Sequence, residues 1–323
     1  MDKRTATVLG ILFGGLFLLF FAFLVLAWSA MKGGDHEPAL ASGSGPQIGV
    51  VEVRGAITDE EEGPSKSAGG ASSGEVIKNL ERFRKNDDIK AIVLRIDSPG
   101  GAVGTSQEIY EEVRRVAKQK KVVASMGNMA ASGGYYIACA CDFVMANPGT
   151  LTGSIGVISQ FFEVKDFLDG WKVHEETIKS GKYKDIGSPF RTWSDEDRAY
   201  FQAIIDDVYG QFVQAVADGR KLPVETVREL AQGKVYSGRQ AKAVKLVDDL
   251  GGLDDALKKA VELAGATGEP RAVYPPRDNP FSLRELLTSA FHGAALGAAS
   301  GAVEGVRAAA PRGGLQLLWD GAR

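Results

Sequence analysis

Histidine and cysteine are scarce in this chain of 323 residues, with three of the first and two of the second. His36 and His292 fall in the terminal segments, leaving His174 alone in the body of the chain. A His-assisted serine triad would rest on that residue, in the run Val173–Ile178, with no motif around it. There is no H-E-x-x-H, no G-x-x-x-x-G-K-[ST] and no G-x-G-x-x-G after a strand, so zinc-protease, P-loop and dinucleotide chemistry are not indicated. No α/β-hydrolase elbow is indicated either, and neither a metal nor a cofactor is expected. Cys139 and Cys141 form a C-x-C pair that cannot easily close on itself and offers too few thiolates for zinc. They read as small buried core residues. An excess of one charge is also missing: 38 basic side chains face 41 acidic ones. That near-balance gives no electrostatic reason to expect a nucleic-acid partner.

What the chain does have is a split in hydropathy. Residues 8–28 form 21 consecutive residues without a charge and hold five of the fifteen Phe. As a helix this run rises about 31 Å, close to the apolar thickness of a bilayer. Lys3 and Arg4 precede it, which orients residues 1–7 to the cytoplasm and everything after about residue 30 across the membrane. The run exceeds the usual length of a signal-peptide core, so an uncleaved anchor is expected over a cleaved leader. Gly10 and Gly14 make one G-x-x-x-G within it, a weak helix-pairing signal.

Residues 29–47 read as a flexible tether. From residue 48 to 265, strand and helix patterns alternate. Ile48–Val53 opens as a strand, Thr58–Gly74 reads as a mobile acidic and Gly/Ser-rich loop, and Glu75–Lys85 has helical spacing. The apolar runs Ala91–Ile96 and Lys121–Met126 read as buried strands, with the amphipathic helix Thr105–Gln119 between them. Ser132–Ala140 reads as a helix, and Phe143–Ala146, Ile155–Ser159 and Val173–Ile178 as extended. Further helices are expected over Asp195–Asp218, with Ser194 as N-cap, and over Pro223–Gln232, Arg239–Lys245 and Leu253–Ala264; Val235–Tyr236 reads as a short strand. Such alternation implies an α/β domain with a mostly parallel sheet covered on both faces. Residues 266–323 read as a Pro-rich linker (Thr267–Pro280) and a Gly/Ala-rich tail, in which Gly293, Gly297, Gly301 and Gly305 recur every four residues.

The residues left to do chemistry sit in Gly-rich turns after strands. One is Asp97-Ser98-Pro99-Gly100-Gly101; another runs from Gly127 to Gly134 and contains Ser132. A serine there, between Ala131 and Gly133, allows close approach of a substrate backbone, and amides of the two turns could form an oxyanion hole. A capping serine between tightly packed glycines fits the same composition. A serine without histidine needs another base, and a desolvated lysine can serve. Lys179, Lys182 and Lys184 are candidates that composition alone does not separate, and a solvated basic loop is the plain alternative.

Five motifs in order carry a resemblance: RIDSPGG (95–101), MAASGGYYIA (129–138), NPGTLTGSIGVI (147–158), IKSGKYKDIGSPFR (178–191) and YSGRQAKAVKLVDDLGG (236–252). Together they resemble the signal peptide peptidase SppA family of serine proteases, in its short, single-repeat bacterial form. The resemblance implies a ClpP/crotonase-like fold and a Ser/Lys dyad. It places Ser132 as nucleophile, Lys184 as general base, Ser154 as the hydroxyl that orients the lysine, and Gly133 with Gly100 or Gly101 as oxyanion donors. It further implies remnant signal peptides and other hydrophobic peptides as substrates. A homo-oligomer whose dyads join neighbouring protomers is expected, with the catalytic domain on the outer face of the bacterial cytoplasmic membrane. Tails of some relatives approach the active site, which makes self-regulation conceivable. Three other functions fit parts of the pattern: a crotonase-like acyl-thioester enzyme, a non-catalytic membrane scaffold, and a Ser/Lys protease that cleaves membrane-protein tails.

Overall fold

The computed structural model describes residues 45–59 and 70–276, and the backbone of residues 316–318. Apolar runs in this chain become strands where both faces can be covered. In chain order the elements begin with β1 (Gln47–Arg54), β2 (Ile57–Thr58), β3 (Ala71–Ser72), α1 (Ser73–Lys85), β4 (Ile89–Ser98), β5 (Gly100–Ala102) and α2 (Val103–Ala117). There follow β6 (Lys121–Ala131), α3 (Gly133–Ala138), β7 (Phe143–Ala146), β8 (Leu151–Gly153), α4 (Lys165–Gly170) and α5 (Asp195–Arg220). The order closes with α6 (Val224–Leu230), β9 (Val235–Ser237), α7 (Gly238–Ala243), β10 (Asp249–Leu250), α8 (Leu253–Leu263), β11 (Arg271–Val273) and β12 (Gln316–Leu318).

The main sheet runs β10-β7-β6-β4-β1-β11, all neighbours parallel, with β8 added parallel to the far end of β6 and β9 antiparallel to β8. Alternate residues of the central strands feed two cores, as period-two geometry requires. Val51, Val53, Ile92, Leu94, Ile96, Val122, Ala124 and Met126 face a large cluster that includes α1, α2, α3 and the end of α5. Ile48, Val50, Ala91, Val93 and Val123 face a smaller one closed by Ala256, Leu257, Ala260 and Val261 of α8. A second, smaller sheet has the order β12-β5-β2-β3.

This is the α/β architecture with a mostly parallel sheet that the alternation implied. Several local expectations need correction. The strand expected over Ile155–Ser159 lies earlier, at β8, because Thr152 and its neighbours pair with β6 and β9. The stretch Val173–Ile178 forms no strand: it meets no partner strand, and Ile178 is exposed. Within Thr267–Pro280, Arg271–Val273 is not linker but β11, pairing with β1. Part of the expected loop 58–74 is ordered, since β3 pairs with β2 and α1 starts at Ser73. Cys139 and Cys141 are free and buried, as composition suggested, and burial pushes the Cys139 thiol up to about 12. Among the described residues no helix is long and apolar enough to cross a membrane. The apolar run 8–28 and the glycines of the tail lie outside the described residues.

Candidate active site

The candidate nucleophile sits where β6 turns sharply into α3. Ser132 adopts φ 52° and ψ −118° and is wholly buried. A side chain is rarely found with positive φ, and its persistence here requires the surroundings to hold it. Those surroundings can be traced bond by bond. The Ser132 amide donates to Gly153 O at 2.9 Å, and Tyr136 N donates to Ser132 O at 2.8 Å. Thr152 Oγ1 donates to Ala130 O and Thr150 Oγ1 to Gly127 O, each at 2.7 Å, so β8 and the turn before it strap the end of β6. From the other side, Asp97 accepts from Met129 N at 3.1 Å and Asn128 Nδ2 at 2.9 Å. Three of the sequence motifs are thereby tied into one knot. Within it, the Ser132 hydroxyl is buried without a hydrogen-bond partner among the described residues.

The SPGG turn lies directly against this point. A Cβ on Gly133 would come within 2.5 Å of Ser106 Oγ, 3.2 Å of Gly101 N and 3.4 Å of Gly100 Cα, so only glycine fits there. Gly100 itself has φ 102°, and its amide donates to Ser98 Oγ at 3.1 Å. Of the two candidate oxyanion glycines, Gly100 thus has its amide engaged by a side chain, while the Gly101 nitrogen lies 3.2 Å from where a Gly133 Cβ would stand. Ser154 follows in the same cluster with φ 51°, buried, its amide donating to Lys234 O at 2.8 Å. Ser132, Gly133, Gly100, Gly101 and Ser154 are therefore brought together.

Among the described residues, Lys184 makes no side-chain hydrogen bond or ion pair to any of them. It lies exposed in the irregular segment 178–191, and the structure separates the three lysines that composition could not. Lys179 Nζ donates to Asp185 Oδ2 at 2.7 Å. Lys182 pairs with Glu196, and that hydrogen bond pushes its pKa up, the wrong direction for a base. Among the described residues, Lys184 alone of the three has no side-chain hydrogen bond or ion pair. The same region exposes large apolar side chains: Phe162 is 82% exposed, Trp171 73% and Ile178 93%.

Sequence reasoning missed several participants. Asp97, Thr150 and Thr152 stood inside the motifs but carried no recognised role, and Ser106 gave no signal at all. A G-x-S-x-G spelling is also present, Gly70-Ala71-Ser72-Ser73-Gly74. Ser72 occupies β3 and the N-cap of α1 at φ −73° and ψ 128°, ordinary extended backbone rather than a strained elbow. The backbone of Gln316–Leu318 runs antiparallel to β5, with Leu318 opposite Gly100 and Leu317 opposite Gly101.

A strand-to-helix turn bearing a strained, buried serine beside a second Gly-rich turn, on a parallel sheet of this order, defines a serine peptidase of the ClpP-like class. Comparison with known proteins agrees: residues 66–150 match the Clp protease family model, and residues 114–267 match that of peptidase family S49. A provisionally described protease of Synechocystis sp. is 46% identical over 68% of this chain and 75% of its own length. Protease 4 of Salmonella typhi is 40% identical over 71% of this chain and 37% of its own. The chloroplastic serine protease SPPA of Arabidopsis thaliana is 35% identical over 69% and 33% respectively. The chain belongs to peptidase family S49 and is a serine protease.

Proposed function

We propose that this serine protease is a membrane-anchored endopeptidase in which Ser132 attacks and Lys184 of a neighbouring protomer is the base. The observation that carries this reading is the buried Ser132 hydroxyl, held in strained backbone with no partner of its own. A buried polar atom left unpaired costs about 1–3 kcal/mol, a cost that makes sense where the missing partner belongs to a base or a substrate. Lys184 supports the reading from the other side, as the lysine of its segment that no carboxylate holds. The exposed Ile178 on that segment, with the exposed Phe162 and Trp171 that precede it in the chain, fits burial against a second copy.

In this mechanism neutral Lys184 takes the Ser132 proton as Oγ attacks the peptide carbonyl. The oxyanion is received by the amides of Gly133 and Gly101, the latter favoured over Gly100 because of the Ser98 contact. Lys184 then protonates the leaving amine and activates the deacylating water, with Ser154 orienting it. The run 8–28 anchors the enzyme in the cytoplasmic membrane with the catalytic domain on the outer face. There it meets hydrophobic peptides, including the remnants of processed signal sequences. The same chemistry applied to the tails of membrane proteins remains a second substrate class, whereas nothing in the site favours an acyl-thioester enzyme or an inert scaffold.

A fluorophosphonate probe tests the dyad. Wild type should be labelled, while Ser132→Ala and Lys184→Ala should not. Co-assembled Ser132→Ala and Lys184→Ala protomers should regain part of the peptidase activity. Full activity in either purified variant would end the dyad reading, and no recovery in verified mixed oligomers would confine the dyad to one chain.

A further inference from the structure

Lys184 sits between two neighbours that are both tied to the start of α5. On one side, the Tyr183 hydroxyl donates to Glu196 Oε1 at 2.5 Å, and its ring stacks on Tyr200 with centroids 4.7 Å apart at 11°. On the other, Asp185 Oδ1 accepts from Arg191 Nη2 at 3.0 Å, and Arg191 Nε stands 3.0 Å from Oδ2. The same guanidinium donates from Nη1 to Asp197 Oδ2 at 2.6 Å. That carboxylate also accepts the amide and the hydroxyl of Ser194, each at 2.9 Å, completing the N-terminal cap of α5. Arg191 is therefore shared between the lysine-bearing segment and the capped helix. Its hydrogen bonds hold the Asp185 and Asp197 carboxyls below the usual carboxylate range, so the network stays charged.

The backbone between these anchors is closely turned. Lys184 N donates to Gly181 O at 3.2 Å, Ile186 N to Tyr183 O at 3.1 Å and Ser188 N to Asp185 O at 3.0 Å. We propose that Arg191, acting through Asp185, is a positioning residue that holds Lys184 in place for catalysis and sets the charge around its ammonium. This rests on the assignment of Lys184 as the base. The charged and titratable groups of this segment and of the elements packed against it are Lys179, Lys182, Tyr183 and Asp185 beside Lys184, Arg191 from the following turn, and Glu196, Asp197 and Tyr200 from α5. Asp185 is shared by Arg191 and Lys179, and Arg191 by Asp185 and Asp197, so removing Arg191 or Asp185 changes the net charge of this set by one.

The test is the pH profile of peptide turnover by the full-length enzyme, whose acid limb reports loss of neutral Lys184. Arg191→Ala should lower kcat between about ten- and a hundredfold through misplacement of the base. With one positive charge lost from the set and Asp185 left to Lys179 alone, its acid limb should move up by about half to one pH unit. Asp185→Asn, nearly isosteric, should move the limb down by a similar amount, because one negative charge is then lost from the set while Arg191 keeps Asp197. The double variant should return the limb towards wild type while kcat stays low. Arg191→Lys should recover part of kcat but not all, since an ammonium cannot reproduce the two-sided contact of the guanidinium. Each variant is checked for the wild-type oligomer size. If Lys184→Ala is inactive while Arg191→Ala and Asp185→Asn keep the wild-type kcat and limb, the positioning role is refuted and the dyad stands. If Lys184→Ala retains full turnover, the base assignment and the positioning role fall together.

Discussion

Removing the Ser132 hydroxyl should make this protein more stable. Ser132 contributes two separate penalties to the folded state. Its hydroxyl is buried without a partner, which costs about 1–3 kcal/mol. Its backbone stands at φ 52° and ψ −118°, and a side-chain-bearing residue held in such a region costs of order 1–3 kcal/mol. Ser132→Ala deletes the first penalty and keeps the second, because alanine still has a Cβ. It should stabilise by roughly 1–3 kcal/mol. Ser132→Gly deletes both, against about 0.5–1 kcal/mol of extra chain entropy in the unfolded state. It should therefore gain a further 0–2.5 kcal/mol or so over alanine. For domains of 150–250 residues, each kcal/mol moves Tm by about 2–4 °C. Thermal unfolding followed by circular dichroism, with all three proteins at one concentration to hold oligomer linkage constant, reads the order directly. The expected order is glycine, then alanine, then wild type. Both variants melting at or below wild type would refute the idea that the serine is held at a cost. Alanine melting above glycine would refute the strain component alone.

Two further predictions concern the neighbours of Ser132. Gly133→Ala should lower kcat by about 10²–10³ if it displaces an oxyanion donor and destabilise by roughly 1–3 kcal/mol through overpacking. Adding Ser106→Ala removes the 2.5 Å contact and should restore part of the stability; an inert Gly133→Ala would show that the two turns are not in tight contact. Truncation after residue 276 removes β12 from the edge of β5 and should lower KM for peptides with little change in kcat, whereas an unchanged KM would show that the tail strand does not compete for that edge.

The parts of this molecule that could be read in advance are those whose side chains record their surroundings. Ala91–Ile96 and Lys121–Met126 are mostly apolar, with Arg95, Lys121 and Ser125 the exceptions, because parallel strands are covered on both faces, and that signal survives in composition. β5 left none: Gly100–Ala102 pairs through backbone alone, and glycine has no side chain to show a pattern. Val173–Ile178 gave the opposite error, β-branched residues without a partner strand. The active-site turns were visible as Gly-rich stretches, but their convergence depends on contacts between distant segments. Asp97 reaching Met129 spans 32 residues, and Thr152 reaching Ala130 spans 22. The choice among three lysines failed for the same reason. Among the described residues, Asp185 holds Lys179 and Glu196, 14 residues away, holds Lys182, and no local composition encodes which lysine is left unpaired.

A peptide that took the place of β12 beside β5 would be selected by a criterion other than side-chain chemistry. A segment that replaces β12 there must present an extended backbone, and must reach a nucleophile with no surface of its own. A peptide that is helical in a lipid environment, or a loop held within a folded domain, has to give up its internal hydrogen bonds before it can dock. The work of unwinding then falls on the substrate. Chains that have already lost their partners, and so surrender their structure cheaply, would be cut first, whatever their sequence.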